Sequence, residues 1–339
     1  MSDFHPRCPP PRGLVRPVRT DPDGVTGPTR GVAAGPRWRT SSPGLVVPAD
    51  VELSVEQRIL EAAVRLPAGA MPTGWAALRL AGAAWFDGAA ADGRTPMPVP
   101  VLLPHASRLR GSGVRVERTR GSLPPPVTRH GMACVPSEVA LLHELRWAAS
   151  LRRAGVMADM ALAAGVVDLA VLRAHAATRR RTDATTYALQ RACGECRSPK
   201  ESEMLQVWGA DLDLPRPVMN REVLDLAGRV IAVVDLLEVE SGTYGEYKGA
   251  AHRSRERQRR DEARADELRG VGLEAFVLVA GDSERVWRDR MLSARGRALW
   301  LPEGRRRWRV GAFVPAPPLP DEDEAALDEF MLEHYRALE

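Results

Sequence analysis

Lysine is almost absent from this 339-residue chain. It occurs at Lys200 and Lys248, and arginine supplies the rest of the 48 basic residues. Where arginine is the default cation, a lysine marks a place suited to a compact ammonium whose pKa can shift, not to a planar guanidinium. Cysteine is scarce too. Cys8, Cys134, Cys193 and Cys196 are too few and too scattered for a disulfide scaffold. A reducing, cytoplasmic setting is the default expectation. No run of eighteen apolar residues occurs, so a transmembrane helix is not expected. The arginines near the N-terminus are followed by no apolar segment, which argues against a secretory signal. Charge of one sign is also lacking. A net charge of +4 is a weak bias, and 44% hydrophobic with 27% charged residues is ordinary for a globular protein.

The chain divides by composition into four parts. Residues 1–50 contain ten prolines, many arginines and little apolar periodicity. That pattern predicts a disordered basic tail, because such a segment buries too little surface to offset its ordering entropy. Residues 51–197 read as an α-rich α+β domain. SVEQRILEAAVRL has apolar residues at helical spacing after a Ser54 cap, and GWAALRLAG predicts a second short helix. VPVLLP (99–104) and GVRVERTR (113–120) read as strands, the latter alternating Val114 and Val116 with Arg115 and Glu117. Helices are expected in 136–152, 157–164, 168–179 and 183–192.

Residues 198–315 change character. SPKESEMLQVWG predicts a helix capped by Ser198, with Pro199 in its first turn and acids at Glu201 and Glu203. Strands follow in 217–226 and 230–239, then the turn ESGTYG and the segment EYKG. A charged helix is expected to end near Gly270, followed by a strand in 272–281 and a closing helix. This order predicts an α/β sandwich around a central mixed sheet. Residues 316–339 are expected to form an acidic amphipathic helix.

Asp235, Glu246 and Lys248 form the constellation with most chemistry. Strand side chains alternate, so Glu246 and Lys248 share a face while Tyr247 points away. A hairpin turning near Ser241-Gly242 would bring Asp235 close to Lys248. Two carboxylates and an ammonium among apolar strands are expensive to bury without a purpose. Carboxylates on two strands suit Mg²⁺ or Mn²⁺, hard ions that prefer oxygen ligands. Such an ion polarises a phosphate and acidifies a bound water, and a lysine can orient that water or stabilise developing charge. Glu201 could complete the metal shell. Glu203 lies roughly 200° away around the same helix, so the two cannot face one ion. The bland alternatives are a structural ion cluster and, for the helix acids, a simple dipole interaction.

The pattern Asp235, ten residues, then Glu246-Tyr247-Lys248 resembles the PD-(D/E)xK nuclease motif. SPKES resembles the SP-x-ES start of the very-short-patch-repair-like endonuclease domains common in actinobacteria, and that likeness selects Glu201 over Glu203. GEYKG followed by His252, then Arg260-Asp261, Arg264, Leu268 and Gly272, is similar to the E-x-D-G-x-x-H and R-D-x-x-R patterns of the same domains. Many of those have aspartate where this chain has Lys248, so the departure runs toward the active-nuclease consensus. The resemblance covers about residues 198–281 and implies a restriction-endonuclease-like fold, DNA as partner, and His252 and Arg264 as polar groups supporting the site. His252 is then a proton shuttle or phosphate contact, or else an ordinary loop histidine. Residues 74–197 resemble more weakly the middle part of AbiEi-like antitoxins, through GWAALRLAGAAWFDG, GVRVERTR and VPSEVALLHELRWA. That family's N-terminal winged helix is not evident in the sequence.

Two readings follow: a metal-dependent DNA endonuclease serving defence, repair or a mobile element, and a non-catalytic DNA-binding regulator of the antitoxin type with a degenerate nuclease fold. A homodimer or a toxin-type partner is open under both. Arg253, Arg255, Arg257, Arg259 and Arg260 could track a phosphate backbone, but they interleave with Glu256, Asp261 and Glu262 as a solvated helix face does. Cys193-Gly-Glu-Cys196 has metal-ligand spacing, yet zinc takes four ligands and the sequence holds no second pair.

Overall fold

The structure, a computed structural model, describes residues 4–90, 92–105, 109, 113–119, 121–249 and 255–319. The first fifty residues correct the expectation of a disordered tail. β1 (Val18–Arg19), a short helix α1 (Arg30–Ala33), β2 (Trp38–Ser42) and β3 (Leu45–Pro48) build a sheet in the order β1-β3-β2. Leu45, Val46 and Val47 are buried. The segment is tied down further along the chain. Cys8 N donates to Gly82 O at 2.9 Å, and Gln57 exchanges hydrogen bonds with the backbone of Val15. Periodicity missed this because the segment buries one short apolar run and satisfies its backbone by pairing.

α2 (Val55–Ala63) starts where Ser54 accepts from Gln57 N. β4 (Met71–Pro72), α3 (Gly74–Leu80), β5 (Val99–Pro104) and β6 (Val114–Thr119) follow, with β5 antiparallel to β4 and parallel to β6. β7 (Val127–Arg129) and β8 (Met132–Cys134) make a hairpin before the helices α4 (Ser137–Arg146), α5 (Leu151–Ala163), α6 (Leu169–Ala177) and α7 (Asp183–Arg191). α5 extends further toward the N-terminus than its apolar pattern predicts, because Ser150 caps it by accepting from Arg153 N.

α8 (Pro199–Gln206) carries the expected cap. Ser198 accepts from Glu201 N, Pro199 sits in the first turn, and the helix continues as a π-helical turn over Val207–Asp211. β9 (Val218–Asp225), β10 (Val230–Glu238) and β11 (Thr243–Lys248) run as an antiparallel meander. α9 (Arg255–Gly270) crosses to β12 (Glu274–Val279), which lies parallel to β11, and α10 (Glu284–Arg297) follows. β13 (Trp308–Phe313), not expected from the sequence, pairs with β9 and completes a mixed sheet in the order β12-β11-β10-β9-β13.

Two apolar clusters divide along this sheet. Phe276 and Leu278 join Trp287, Met291 and Ala294 of α10 in one, while Tyr244 and Leu237 join Leu268 of α9 in the other. The strand period of two thus covers both faces with helices. The first cluster continues into α2–α7, so one core crosses the boundary expected between residues 197 and 198. α8 packs closely on α5: a Cβ at Gly155 would lie 2.7 Å from the Gln206 side chain. Among the described residues no helix is long and apolar enough to cross a membrane. Residues 320–339, most of the expected acidic helix, lie outside the described residues, as does His252.

Candidate functional site

The hairpin register decides which charged groups meet. Leu236 pairs with Gly245, Leu237 with Tyr244 and Glu238 with Thr243. The ladder ends at Leu236 and Gly245; continued by one step its register puts Asp235 across from Glu246, not Lys248 as a turn centred on Ser241-Gly242 would require. The turn is centred one residue earlier, where Gly242 N donates to Glu238 O at 3.0 Å. Directly opposed residues share a face with Cβ atoms about 5 Å apart, so the two carboxylates project together. Tyr247, on the other face, packs edge-on against Trp287.

Asp235, Glu246, Lys248, Glu201 and Arg264 all line one cavity of about 530 Å³, together with Asp261. Arg197 and Ser198 form its edge beside α8, and Phe4 and Val314–Pro317 close another side. His5 Nε2 donates to Pro317 O at 2.7 Å, which holds the two ends of that wall together. Tyr247 N donates to Asp235 Oδ2 at 3.0 Å, and the Arg197 guanidinium stands 3.6 Å from Asp235 Oδ1. Arg264 of α9 forms an ion pair with Glu246. Burial raises the pKa of all three carboxylates. At Asp235 the Tyr247 N–H and Arg197 oppose the rise, at Glu246 Arg264 opposes it, and at Glu201 the neighbouring Asp235 charge adds to it. Buried, mutually repelling acids in a cleft are a recurring mark of functional sites.

Glu201 is engaged by three hydrogen-bond donors. Its Oε2 accepts from Arg197 N and from Asn220 Nδ2, both at 2.7 Å, and its Oε1 accepts from Ser198 Oγ at 3.1 Å. This resembles a capping box, with Arg197 N–H in the place of the cap residue's own, and together with Asn220 it fills Oε2. Among the described residues, Glu201, Asp235 and Glu246 do not bring ligand atoms within 4.8 Å of one another as a group; Asp159, Cys193 and Cys196 do, and that buried group could hold a metal ion. Glu201 thus positions the helix start beside Asp235. Glu203 lies outside the cavity, paired with Lys200 at 2.6 Å. The chain's other lysine, Lys200, is therefore a surface partner.

Several residues escaped sequence reasoning. Asn220 of β9 adopts φ 50° and is fully buried. Its Nδ2 donates to Glu195 O as well as to Glu201, each at 2.7 Å. Both partners are acceptors, so the amide nitrogen must face them. Arg197 directly precedes SPKES, and proximity to that motif was the available signal; Asp261 belongs to the R-D-x-x-R likeness itself. Nothing local marks Asn220 or the Phe4 wall. A second cavity, of about 720 Å³, lies between β6 and the α6–α7 junction and is lined by Arg118, Arg146, Arg179, Arg180 and Arg181. The chain matches no protein-family model, no curated protein and no solved structure.

Proposed function

We propose that this chain is a metal-dependent nuclease that hydrolyses phosphodiester bonds in DNA, on a restriction-endonuclease-like sandwich. The observation that supports it best is that Asp235 and Glu246, on adjacent strands, line one cavity together with Lys248. The donor set suits a hard cation. Two carboxylates, with water for the remaining positions, are how Mg²⁺ is commonly held. Asp235 and Glu246 are the residues that would hold Mg²⁺ or Mn²⁺, with Glu201, held by Arg197 N, Asn220 and Ser198, in a supporting place beside Asp235. The bound ion would supply charge to the phosphate and acidify a water.

The protein's own groups do the rest. Lys248, which lines the same cavity, would orient water or stabilise charge on a phosphate held there. Arg264 and Arg197 keep Glu246 and Asp235 oriented and supply positive charge to an incoming polyanion. The test is plasmid cleavage with Mg²⁺ by the wild type beside Lys248→Ala and Asp235→Ala. Cleavage by the wild type with loss in both variants is expected; equal cleavage by all three would sink the reading.

A second reading has its own observation. The arginine-lined cavity at β6 and α6–α7 favours a phosphate-binding module independent of the acidic cavity. Salt-sensitive DNA binding without cleavage, unchanged in Lys248→Ala, would favour a non-catalytic DNA-binding regulator.

A further inference from the structure

A buried carboxylate lies beneath the loop that feeds the cavity. Asp159 of α5 has no exposed surface. Hydrogen-bond donors hold it, and among the described residues no ion pair does. Its Oδ1 accepts from the backbone N–H groups of Cys193 at 2.8 Å and Gly194 at 3.4 Å. Its Oδ2 accepts from Ser202 Oγ at 2.5 Å and faces the Cys196 thiol at 3.9 Å. Cys193 Sγ lies 3.7 Å from Cys196 Sγ and accepts from Glu195 N at 3.4 Å. Buried charges in proteins are usually paired or bound to metals, and this one has two thiols as neighbours.

We propose that Asp159, Cys193 and Cys196 form a binding site for a thiophilic divalent cation of the zinc class. Two thiolates on a tetrahedral centre, each about 2.3 Å from it, lie about 3.8 Å apart. The observed 3.7 Å already fits that spacing. A disulfide would need the sulfurs to close to about 2.05 Å. Asp159 Oδ2 supplies the third ligand. On binding, the cation takes the place of the Cys196 thiol proton that faces this oxygen, and both thiol protons pass to solvent. The Glu195 N–H on the Cys193 sulfur and the two N–H groups on Oδ1 act as orienting partners behind the ligands. Thiolates select Zn²⁺ over Mg²⁺, which prefers oxygen alone. Three protein ligands leave one position for water, reached beside the partly exposed Cys193.

The consequence reaches the cavity. The loop from Cys193 to Ser198 carries the Glu195 carbonyl that Asn220 grips, Arg197 beside Asp235, and the cap of α8. A cation here staples α5 to that loop and stiffens one wall of the cavity.

The test uses the full-length, tag-free, reduced protein titrated with Co²⁺ and then Zn²⁺. About one equivalent of Co²⁺ should bind with a thiolate-to-cobalt charge-transfer band. Zn²⁺ should displace it, and excess Mg²⁺ should not. Cys193→Ser and Asp159→Asn should each weaken binding roughly tenfold or more, and Cys8→Ser should leave it unchanged. Zn²⁺ should raise the melting temperature of the wild type more than that of Cys193→Ser. Cys193 is partly exposed, so its substitution tests the site without emptying the core. No charge-transfer band in the folded wild type would overturn the proposal, as would an undiminished band in Cys193→Ser.

Discussion

Replacing Asn220 with alanine tests the argument that its amide clamps the floor of the site. The substitution removes two hydrogen bonds of 2.7 Å, one to the Glu195 carbonyl and one to the Glu201 carboxylate. The first is worth about 1 kcal/mol and the second, to a charged group, about 1.5–3 kcal/mol. Alanine must also hold the left-handed backbone conformation at φ 50°, which asparagine tolerates and alanine resists by about 1 kcal/mol. One effect runs the other way. Asn220 Oδ1 is buried without a hydrogen-bond partner, and deleting it returns about 1–2 kcal/mol of desolvation. The net expectation is a loss of about 1.5–4 kcal/mol. Urea unfolding measures it as a lower midpoint at unchanged slope. Asn220→Gly separates the causes, since glycine is free at this dihedral but makes neither bond. The reasoning fails if alanine costs less than about 1 kcal/mol, or if glycine restores wild-type stability, because the backbone and not the amide would then be responsible.

Three further outcomes are expected. Burial raises the pKa values of Glu201, Asp235 and Glu246 above those of the unfolded chain, so the folded state holds protons that the unfolded state has released. Stability, measured in chelator, should therefore be fullest below the ordinary carboxylate range and fall as pH rises through it toward the raised folded values. Asp235→Asn should flatten that fall and be more stable than the wild type at neutral pH; an unchanged pH profile would contradict the assignment to burial. Glu238 is 2% exposed and held by Arg295 at 2.8 Å and Ser241 at 2.6 Å, so Glu238→Ala should cost about 1.5–3 kcal/mol by removing charge-assisted hydrogen bonds to a guanidinium that stays partly solvated and stacked on Trp300, read by the same unfolding assay. If the arginine-lined cavity binds DNA, Arg180→Ala with Arg181→Ala should weaken binding and reduce the salt-dependence slope by about 0.9 per lost phosphate contact; identical slopes in a salt titration would exclude these two side chains from the contact.

Much of the local structure was legible because local rules produced it. The Ser198 cap, the buried run of β10 and the alternation through Glu246, Tyr247 and Lys248 follow from capping chemistry and the strand period. The helical angle between Glu201 and Glu203 separated a cavity acid from a surface one. Where local periodicity was silent, the reading failed. The first fifty residues looked disordered, yet they pair their backbone and bury Leu45–Val47. β13 was missed, although it completes the sheet edge beside the site.

The sequence by itself determined which side chains could do chemistry at one sheet face: Asp235, Glu246 and Lys248, on strands whose period of two follows from the backbone. Only the tertiary structure decided their partners. The centre of one turn set Asp235 across from Glu246, and the packing of α8 and β9 brought Glu201 to the Asn220 amide. It also brought Asp159 to two cysteines more than thirty positions away. Contacts at that separation depend on how whole elements pack, and short-range spacing carries no record of them.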